Sequence, residues 1–366
     1  MRMKVHEILR GTLPALAVFG ALLALLLYPE LASGAVAASL RVCGTMLLPS
    51  LFPFFVCTEL LISLDLATIP ARLLGGVMPR LFHVRPRGAA ALVLGLTGGY
   101  PMGAQAAAQL YAQGALSREE CERLVPFCNN AGPAFILGVM GATVFHSARC
   151  GLALYIIHII SAVLCGLLFR APALPAAVQR ASAQEAPHAP FSALFTRSVR
   201  QAVQSALGLC GFVVVFGVLS RFLLALLPSW LPEGARVLLC GLLELGNGAS
   251  LLAQAALPFP LRFALAAFLL GFGSVSVWAQ TASILIPSGL RIDGYLTVRL
   301  LHGALSAVLA LAAQQLFPLA DPALPAMATP MQTGAAVLAP ALFYTAATIF
   351  IIFRNLMGGN PQAKGV

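Results

Sequence analysis

Apolar residues run along this chain in long blocks, at roughly 13–29, 39–65, 88–112, 124–145, 151–169, 202–227, 235–256, 263–286, 297–317 and 334–353. A stretch of about 20 apolar residues matches one helical crossing of a bilayer. The pattern therefore predicts an all-α polytopic membrane protein. Between 66 and 87 it changes to an amphipathic stretch, LATIPARLLGGVMPRLFHVRPR, suited to a helix lying in the membrane interface. The segment 170–190 is rich in Ala, Pro, Gln and Ser and reads as a linker between near-equal halves.

Each half repeats one order of elements: a long helix, two blocks interrupted by glycine, then a smooth helix. The interruptions of the first half are Leu96-Thr97-Gly98-Gly99-Tyr100-Pro101-Met102-Gly103 and Phe127-Cys128-Asn129-Asn130-Ala131-Gly132-Pro133. Those of the second half are Leu243-Glu244-Leu245-Gly246-Asn247-Gly248 and Gly271-Phe272-Gly273-Ser274-Val275-Ser276. The smooth helices also match, His158-Ile-Ile-Ser161-Ala-Val-Leu against His302-Gly-Ala-Leu-Ser306-Ala-Val-Leu. Ser161 and Ser306 are 145 positions apart, and the hairpin glycines about 148. Paired, Gly/Pro-broken hydrophobic segments are the sequence mark of a transporter built from repeats.

The expected organisation is an N-terminal transmembrane helix (1–38), a first repeat (39–169), a cytoplasmic linker (170–196), a second repeat (197–317), and a C-terminal transmembrane helix and tail (318–366). The first repeat would hold a re-entrant hairpin at 88–112 and a broken helix at 124–145. The second would hold a hairpin at 235–256 and a broken helix at 263–286. Charge favours hairpins over full crossings. With the N-terminus inside, the outer edge keeps only Arg41, Arg149, Arg221, Arg236 and Arg262, while the other cationic side chains, Arg291 and Arg299 among them, collect in the cytoplasm. The first hairpin would then enter from the cytoplasm and the second from outside, making the two repeats inverted.

Hydrocarbon does not tolerate unpaired backbone groups, so broken backbone at membrane depth must line a protein-enclosed or wet cavity. The four interruptions are expected to share one. Candidate solute contacts are Thr97, Gly98, Gly99, Tyr100, Gln105, Asn129, Asn130, Gly132, Glu244, Gly246, Asn247, Gly273, Ser274 and Ser276. Half-helix N-termini suit an anion and the opposite ends, with their carbonyls, a cation. Gly95, Gly99 and Gly103 also fall at the four-residue spacing of tight helix packing. The paired amides of Asn129 and Asn130 could instead satisfy only their own broken helix.

Glu244 sits inside an apolar block, where a carboxylate costs a few kcal/mol and usually faces a cavity. Glu59 is a similar candidate, nearer a helix end with Asp65. His158 and His302, at matching repeat positions, could relay protons or make an interhelical hydrogen bond. Glu59, Glu244, His158 and His302 are thus the candidates for proton or ion coupling. Na+ or H+ is the candidate coupling ion, and no cofactor or metal is expected.

Composition agrees with the pattern. The 366 residues are 60% hydrophobic and 9% charged, with mean hydropathy +0.91, against about 25% charged in soluble domains. The net charge of +10 fits cytoplasmic loops better than nucleic acid. The eight cysteines form no C-x-x-C pair. The basic start (Arg2, Lys4, Arg10) before Leu13–Tyr28 resembles a signal peptide but is expected to stay as a first helix. No H-E-x-x-H, G-x-S-x-G or P-loop signature is present, and an enzyme is not expected. The expected partners are a small-molecule solute, the lipid bilayer and, in a homo-oligomer, a second copy of the chain.

Three runs resemble a known family: Leu47-Leu48-Pro49-Ser50-Leu51-Phe52-Pro53-Phe54-Phe55, Gly99-Tyr100-Pro101-Met102-Gly103-Ala104, and Gly114-Ala115-Leu116-Ser117-Arg118-Glu119-Glu120 through Phe127-Cys128-Asn129-Asn130-Ala131-Gly132-Pro133-Ala134-Phe135. They are similar to the YlbJ/SpoVV sporulation integral membrane proteins, part of the group carrying the nucleoside-transporter gate domain. The resemblance covers about 39–317, and the Asn-Asn-x-Gly-Pro run is its most specific part. It implies a fold like that of the concentrative nucleoside transporters. It also implies movement of dipicolinic acid, a dianion, across the outer forespore membrane; the charge pattern sets both termini in the cytoplasm. Many members would carry a Lys after the first Gly-Ala, where this chain has Gln105. Nucleoside or nucleobase transport and a non-transporting role in spore-envelope assembly are the alternatives.

Overall fold

The computed structural model describes residues 2–64, 68–170 and 190–316. The C-terminal transmembrane helix expected at 334–353, Asp65 and most of the linker lie outside the described residues. Those described are helical, with no strand among them.

Helix α1 (Arg2–Leu27) is followed by α2 (Pro29–Val42), a π-helical turn (Cys43–Leu47) and α3 (Leu48–Ser63). The chain turns sharply at Tyr28–Pro29, where Ala15–Leu27 and Pro29–Thr45 meet at 98°. Proline at the first position of α2 supplies no N–H to continue α1. The first break therefore lies near residue 28, and the backbone around residue 38 is helical. The amphipathic stretch forms α4 (Thr68–Leu74) and a π-helical turn (Met78–Phe82).

The first hairpin is α5 (Gly88–Gly98) and α6 (Met102–Ala112). Each arm of 11 residues rises about 16 Å, half of a ~30 Å hydrocarbon layer, so the tip lies at mid-depth if the base is at the surface. The tip is Gly99-Tyr100-Pro101, with Gly99 at φ 84° and the Tyr100–Pro101 peptide cis. That φ suits glycine alone. The first broken helix is α7 (Arg118–Cys128) followed, after Asn129–Pro133, by a π-helical segment (Ala134–Val144). Ser117 and Glu120 form a reciprocal capping box that starts α7. The smooth helix is α8 (Ala148–Leu168), and α9 (Phe191–Leu226) begins the second half. There the hairpin is α10 (Glu233–Leu243) with α11 (Leu245–Gln254), the broken helix α12 (Phe259–Phe272) with α13 (Val275–Leu285), and the smooth helix α14 (Tyr295–Leu316).

Taking α12 and α13 together, four spans among the described residues are long and apolar enough to cross a membrane, and the bent α1–α2 pair makes a fifth. The smooth helices are inside-out relative to soluble ones. On α8, Leu152, Ile156 and Ile160 form an exposed apolar stripe, while Tyr155, His158 and Ser161 are buried. On α14, Leu296, Leu300, Val308 and Leu311 are exposed and Arg299, His302 and Ser306 are buried. When hydrocarbon is the solvent, apolar faces need no cover, and polar groups must find partners inside.

At the hairpin base, buried Glu120 accepts from the Arg85 backbone N–H and Nε, each at 2.7 Å, and from Ser117 N–H at 2.7 Å. Glu122 accepts from the Arg291 N–H at 2.8 Å, and Arg118 donates to the Gly289 carbonyl. These bonds fasten the base of the first hairpin to the loop after α13.

Candidate functional site

Breaking a helix frees its last carbonyls, which carry partial negative charge. Three of the four breaks meet at one side chain, Arg299. It is fully buried. Nε donates to Phe272 O at 3.2 Å, at the end of α12. Nη1 donates to Asn129 O and Asn130 Oδ1, both at 3.2 Å, and to Pro126 O at 3.4 Å, at the end of α7. Nη2 donates to Leu270 O at 3.3 Å and to the Tyr100 hydroxyl from the hairpin tip. The guanidinium also lies 5.4 Å from the Tyr100 ring centroid, within cation–π range.

The charge count had placed Arg299 with the cytoplasmic arginines, and the structure corrects this. A signal was present: Arg299 lies inside the apolar block 297–317, between Val298 and Leu300 and one turn before His302. A cation so placed points to an internal site.

Both asparagines are fully engaged in this junction and wholly buried. Asn129 Oδ1 accepts from Ala104 N–H at 3.4 Å, and Nδ2 donates to Thr281 Oγ1 at 2.9 Å and to the Tyr295 hydroxyl at 3.2 Å. Asn130 Nδ2 donates to Phe127 O at 2.7 Å, and its Oδ1 accepts from Arg299. Asn129 thus joins the first hairpin, the first broken helix, α13 and α14. Asn129→Ala removes two donors and one acceptor there. The thermal midpoint of the purified protein should fall by about 5 °C or more, and an unchanged midpoint would mean these bonds do not hold the junction.

Gly99 and Gly132 touch backbone to backbone. A Cβ on Gly132 would lie 2.9 Å from the Gly99 Cα, and one on Gly273 3.1 Å from the Tyr100 hydroxyl. Ser274 caps α13, accepting from Val277 N–H at 3.1 Å. Thr97 donates to Val93 O at 2.8 Å within its own helix, and Gly98 lies against Thr58 and Met102. The four-residue glycine spacing has its use as well, since Gly95 and Gly103 pack directly on the Cys128 carbonyl group.

The convergence itself is filled, and open space begins beside it. A cavity of about 390 Å³ reaches from Pro101 along α6, between α9 and α13. Its polar lining is Gln105, Gln109, Gln201, Gln204, Ser205, Gln280, Ser283 and Ser288. Gln105 Nε2 donates to Glu59, which is buried, and Gln109 also bonds that carboxylate. Gln280 Nε2 donates to Ser276 Oγ at 3.3 Å. The amide oxygens of Gln105, Gln109 and Gln280 are left without hydrogen-bond partners. Gln201, Gln204 and Ser205 share one face of α9. They escaped the sequence reading, although they were visible as polar residues at helical spacing at the start of an apolar block.

The second hairpin stands apart. Glu244 is buried and caps α11, accepting from Gly246 N–H at 2.9 Å and Asn247 N–H at 2.6 Å. Asn247 lines a second cavity of about 500 Å³ with Glu30, Ser39, Gly217, Ser220 and Arg221. The expectation of one cavity shared by four breaks is thereby replaced. Three breaks form a closed junction beside one cavity, and the fourth borders another. On α9 the first cavity touches Gln201 to Phe212 and the second Gly217 to Leu224. Their centres are about 20 Å apart along the helix.

His158 and His302 stack with centroids 4.7 Å apart. His302 Nδ1 lies 3.0 Å from Arg299 Nη1 and Nε2 lies 3.2 Å from His158 O. A guanidinium only donates, so Nδ1 accepts and Nε2–H donates. Neither ring nitrogen of buried His158 has a partner. One turn on, the Ser161 and Ser306 hydroxyls meet at 2.7 Å. Among the described residues no His/Cys/Asp/Glu group could hold a metal ion, and the cysteines are all free.

Compared with known proteins, the chain matches no family model and no solved structure. It is similar to the sporulation integral membrane protein YlbJ of Bacillus subtilis (strain 168), 29% identical over 314 residues that cover 77% of each chain. The aligned length takes in most of both proteins, and the match supports the likeness of this chain to the YlbJ-like integral membrane proteins.

Proposed function

We propose that this protein is a secondary transporter of a small polar solute, working by alternating access in a sporulating cell. The observation that carries this is the polar cavity at the first hairpin tip. Its volume of about 390 Å³ falls within the usual range for small-molecule sites, about 300–1,000 Å³. It holds buried amide oxygens with no partner, an expensive arrangement unless a ligand or water completes it.

The repeats are proposed to be inverted. Ser161 touches Ser306 and His158 touches His302, and contact between equivalent positions is what a two-fold axis between them produces. The two cavities would then be the two ends of one path, each bordered by the second arm of a hairpin and by a different stretch of α9. By the charge pattern the first cavity opens to the cytoplasm. A cysteine at Gln113, just past α6, should be labelled by an impermeant maleimide only from the cytoplasmic side. Labelling from outside would reverse the orientation. Glu59 and His158 are the candidates for carrying a coupling proton.

The solute proposed first is dipicolinate, the solute that the family resemblance implies. Exposed Arg197 and Arg200 lie one turn before Gln201 and Gln204 on α9 and would draw an anion toward the cavity. A nucleobase or nucleoside is the second reading, favoured by the lining itself. Among the described residues no Lys or Arg lines the cavity, and unpartnered amide oxygens ask for N–H or O–H donors. The test is uptake of labelled dipicolinate into proteoliposomes with unlabelled nucleosides as competitors, at several Na+ and pH gradients. Saturable uptake indifferent to nucleosides supports the carboxylate. Nucleoside inhibition with direct nucleoside uptake supports the second reading. No uptake of either by correctly inserted protein would count against transport of these solutes and for an envelope-assembly role.

A further inference from the structure

We infer that Arg299 is a built-in cation standing where a transporter of this architecture would otherwise bind a metal ion, so that the junction of the broken helices needs no Na+. The inference deepens the transport reading and rests on it only for its bearing on coupling.

Two half-helices, α7 and α12, end at the same point. Each C-terminal end carries about half a negative charge, so the pair amounts to about one. The group between them carries one positive charge that no protein environment removes. The guanidinium donates to two carbonyls of each end, Pro126 and Asn129 on one side and Leu270 and Phe272 on the other. Asn130 Oδ1, His302 Nδ1 and the Tyr100 hydroxyl complete its shell. Among the described residues no carboxylate forms an ion pair with it. Its charge is balanced by carbonyl dipoles, as a dehydrated alkali ion's would be.

A Na+ ion does not fit here as well. The carbonyls that could ligate it are already taken by N–H donors, and Arg299 would repel it at contact distance. A tethered cation also cannot leave. The junction is therefore permanently neutral, and ion coupling must use other groups.

The test is thermal unfolding of purified full-length protein in detergent, with choline, Na+ or guanidinium chloride at tens of millimolar. The wild-type midpoint should be equal in choline and Na+. Arg299→Ala should melt about 10 °C lower in choline and recover at least half of that, saturably, when guanidinium or Na+ enters the vacated site. Arg299→Lys should accumulate and melt above Arg299→Gln. If Arg299→Ala fails to accumulate, that Lys-against-Gln comparison decides instead, because the two differ in charge at similar size. Equal behaviour of Lys and Gln, an Ala variant as stable as wild type, or saturable stabilisation of wild type by Na+ would overturn the inference. In proteoliposomes, wild-type uptake should change less than twofold when choline replaces Na+, and a strict Na+ requirement would overturn the bearing on coupling. The melting series does not read transport. If it succeeds while no solute is taken up, the transport reading fails and the internal cation stands.

Discussion

Gly95→Leu should abolish accumulation of folded protein in the membrane. A Cβ at Gly95 would overlap the Cys128 carbonyl oxygen and lie 2.8 Å from its carbon. Both groups are backbone, so no rotamer change relieves the clash. Gly103 faces the same surface, where a Cβ would lie 2.8 Å from both the Asn129 Cα and the Cys128 carbonyl carbon. Separating these segments would pull the hairpin tip off the first broken helix, and with it Tyr100 from Arg299 and Ala104 from Asn129. Overpacking by a methylene or two costs about 1–3 kcal/mol where side chains can adjust. A leucine driven into backbone exceeds that and takes a large part of a total stability of about 5–15 kcal/mol. Gly211→Leu is the control, because its Cβ meets nothing within 4 Å and should be tolerated. Fluorescence-detected size exclusion of membrane extracts reads both. A monodisperse Gly95→Leu peak at wild-type level would mean the tip does not sit on Cys128.

Gln280→Leu should lower uptake about 10- to 100-fold while leaving the protein folded. Gln280 lines the cavity, is buried, spends its N–H on Ser276 and leaves its amide oxygen without a partner. Leucine nearly matches its volume and loses little locally. A bound solute, however, would face an apolar wall in place of an acceptor, a difference of about 1.4–2.8 kcal/mol. The measurement is initial uptake rate at fixed solute, set beside the thermal midpoint, which should move by only a few degrees. Full uptake by Gln280→Leu would move the solute away from this cavity. Gln105→Leu is a harsher change, because it also strips a partner from the buried Glu59 carboxylate. Comparing the two separates solute contact from support of Glu59.

The hairpins and broken helices were legible because their causes are local. Pro101 and Pro133 lack an N–H, Gly99 and Gly273 adopt φ 84°, and runs of apolar residues on either side are half or whole membrane lengths. The helix pairs Gly88–Gly98 with Met102–Ala112 and Glu233–Leu243 with Leu245–Gln254 flank two of these breaks. The sharp bend falls at Tyr28–Pro29, and Ala32 to Ser39 beyond it stay helical and pack on α9. Asn129 and Asn130 were legible as important but not in their role. Their partners Thr281, Tyr295 and Arg299 lie more than 150 positions away.

The sequence by itself determined the class of protein, an all-helical membrane protein, and where glycine and proline interrupt its apolar runs. Bilayer thickness and backbone chemistry act on neighbouring residues, so a linear pattern carries them. Only the tertiary structure decided what each break meets. It drew Arg299 out of the apparent cytoplasmic charge and into the core, because two helix ends without carbonyl partners need a cation and hydrocarbon offers none. It also set a stripe of glutamines on α9 against the first hairpin and separated Glu244 from the other breaks. Those are relations between segments far apart in the chain, settled by which polar groups can satisfy one another once water is gone.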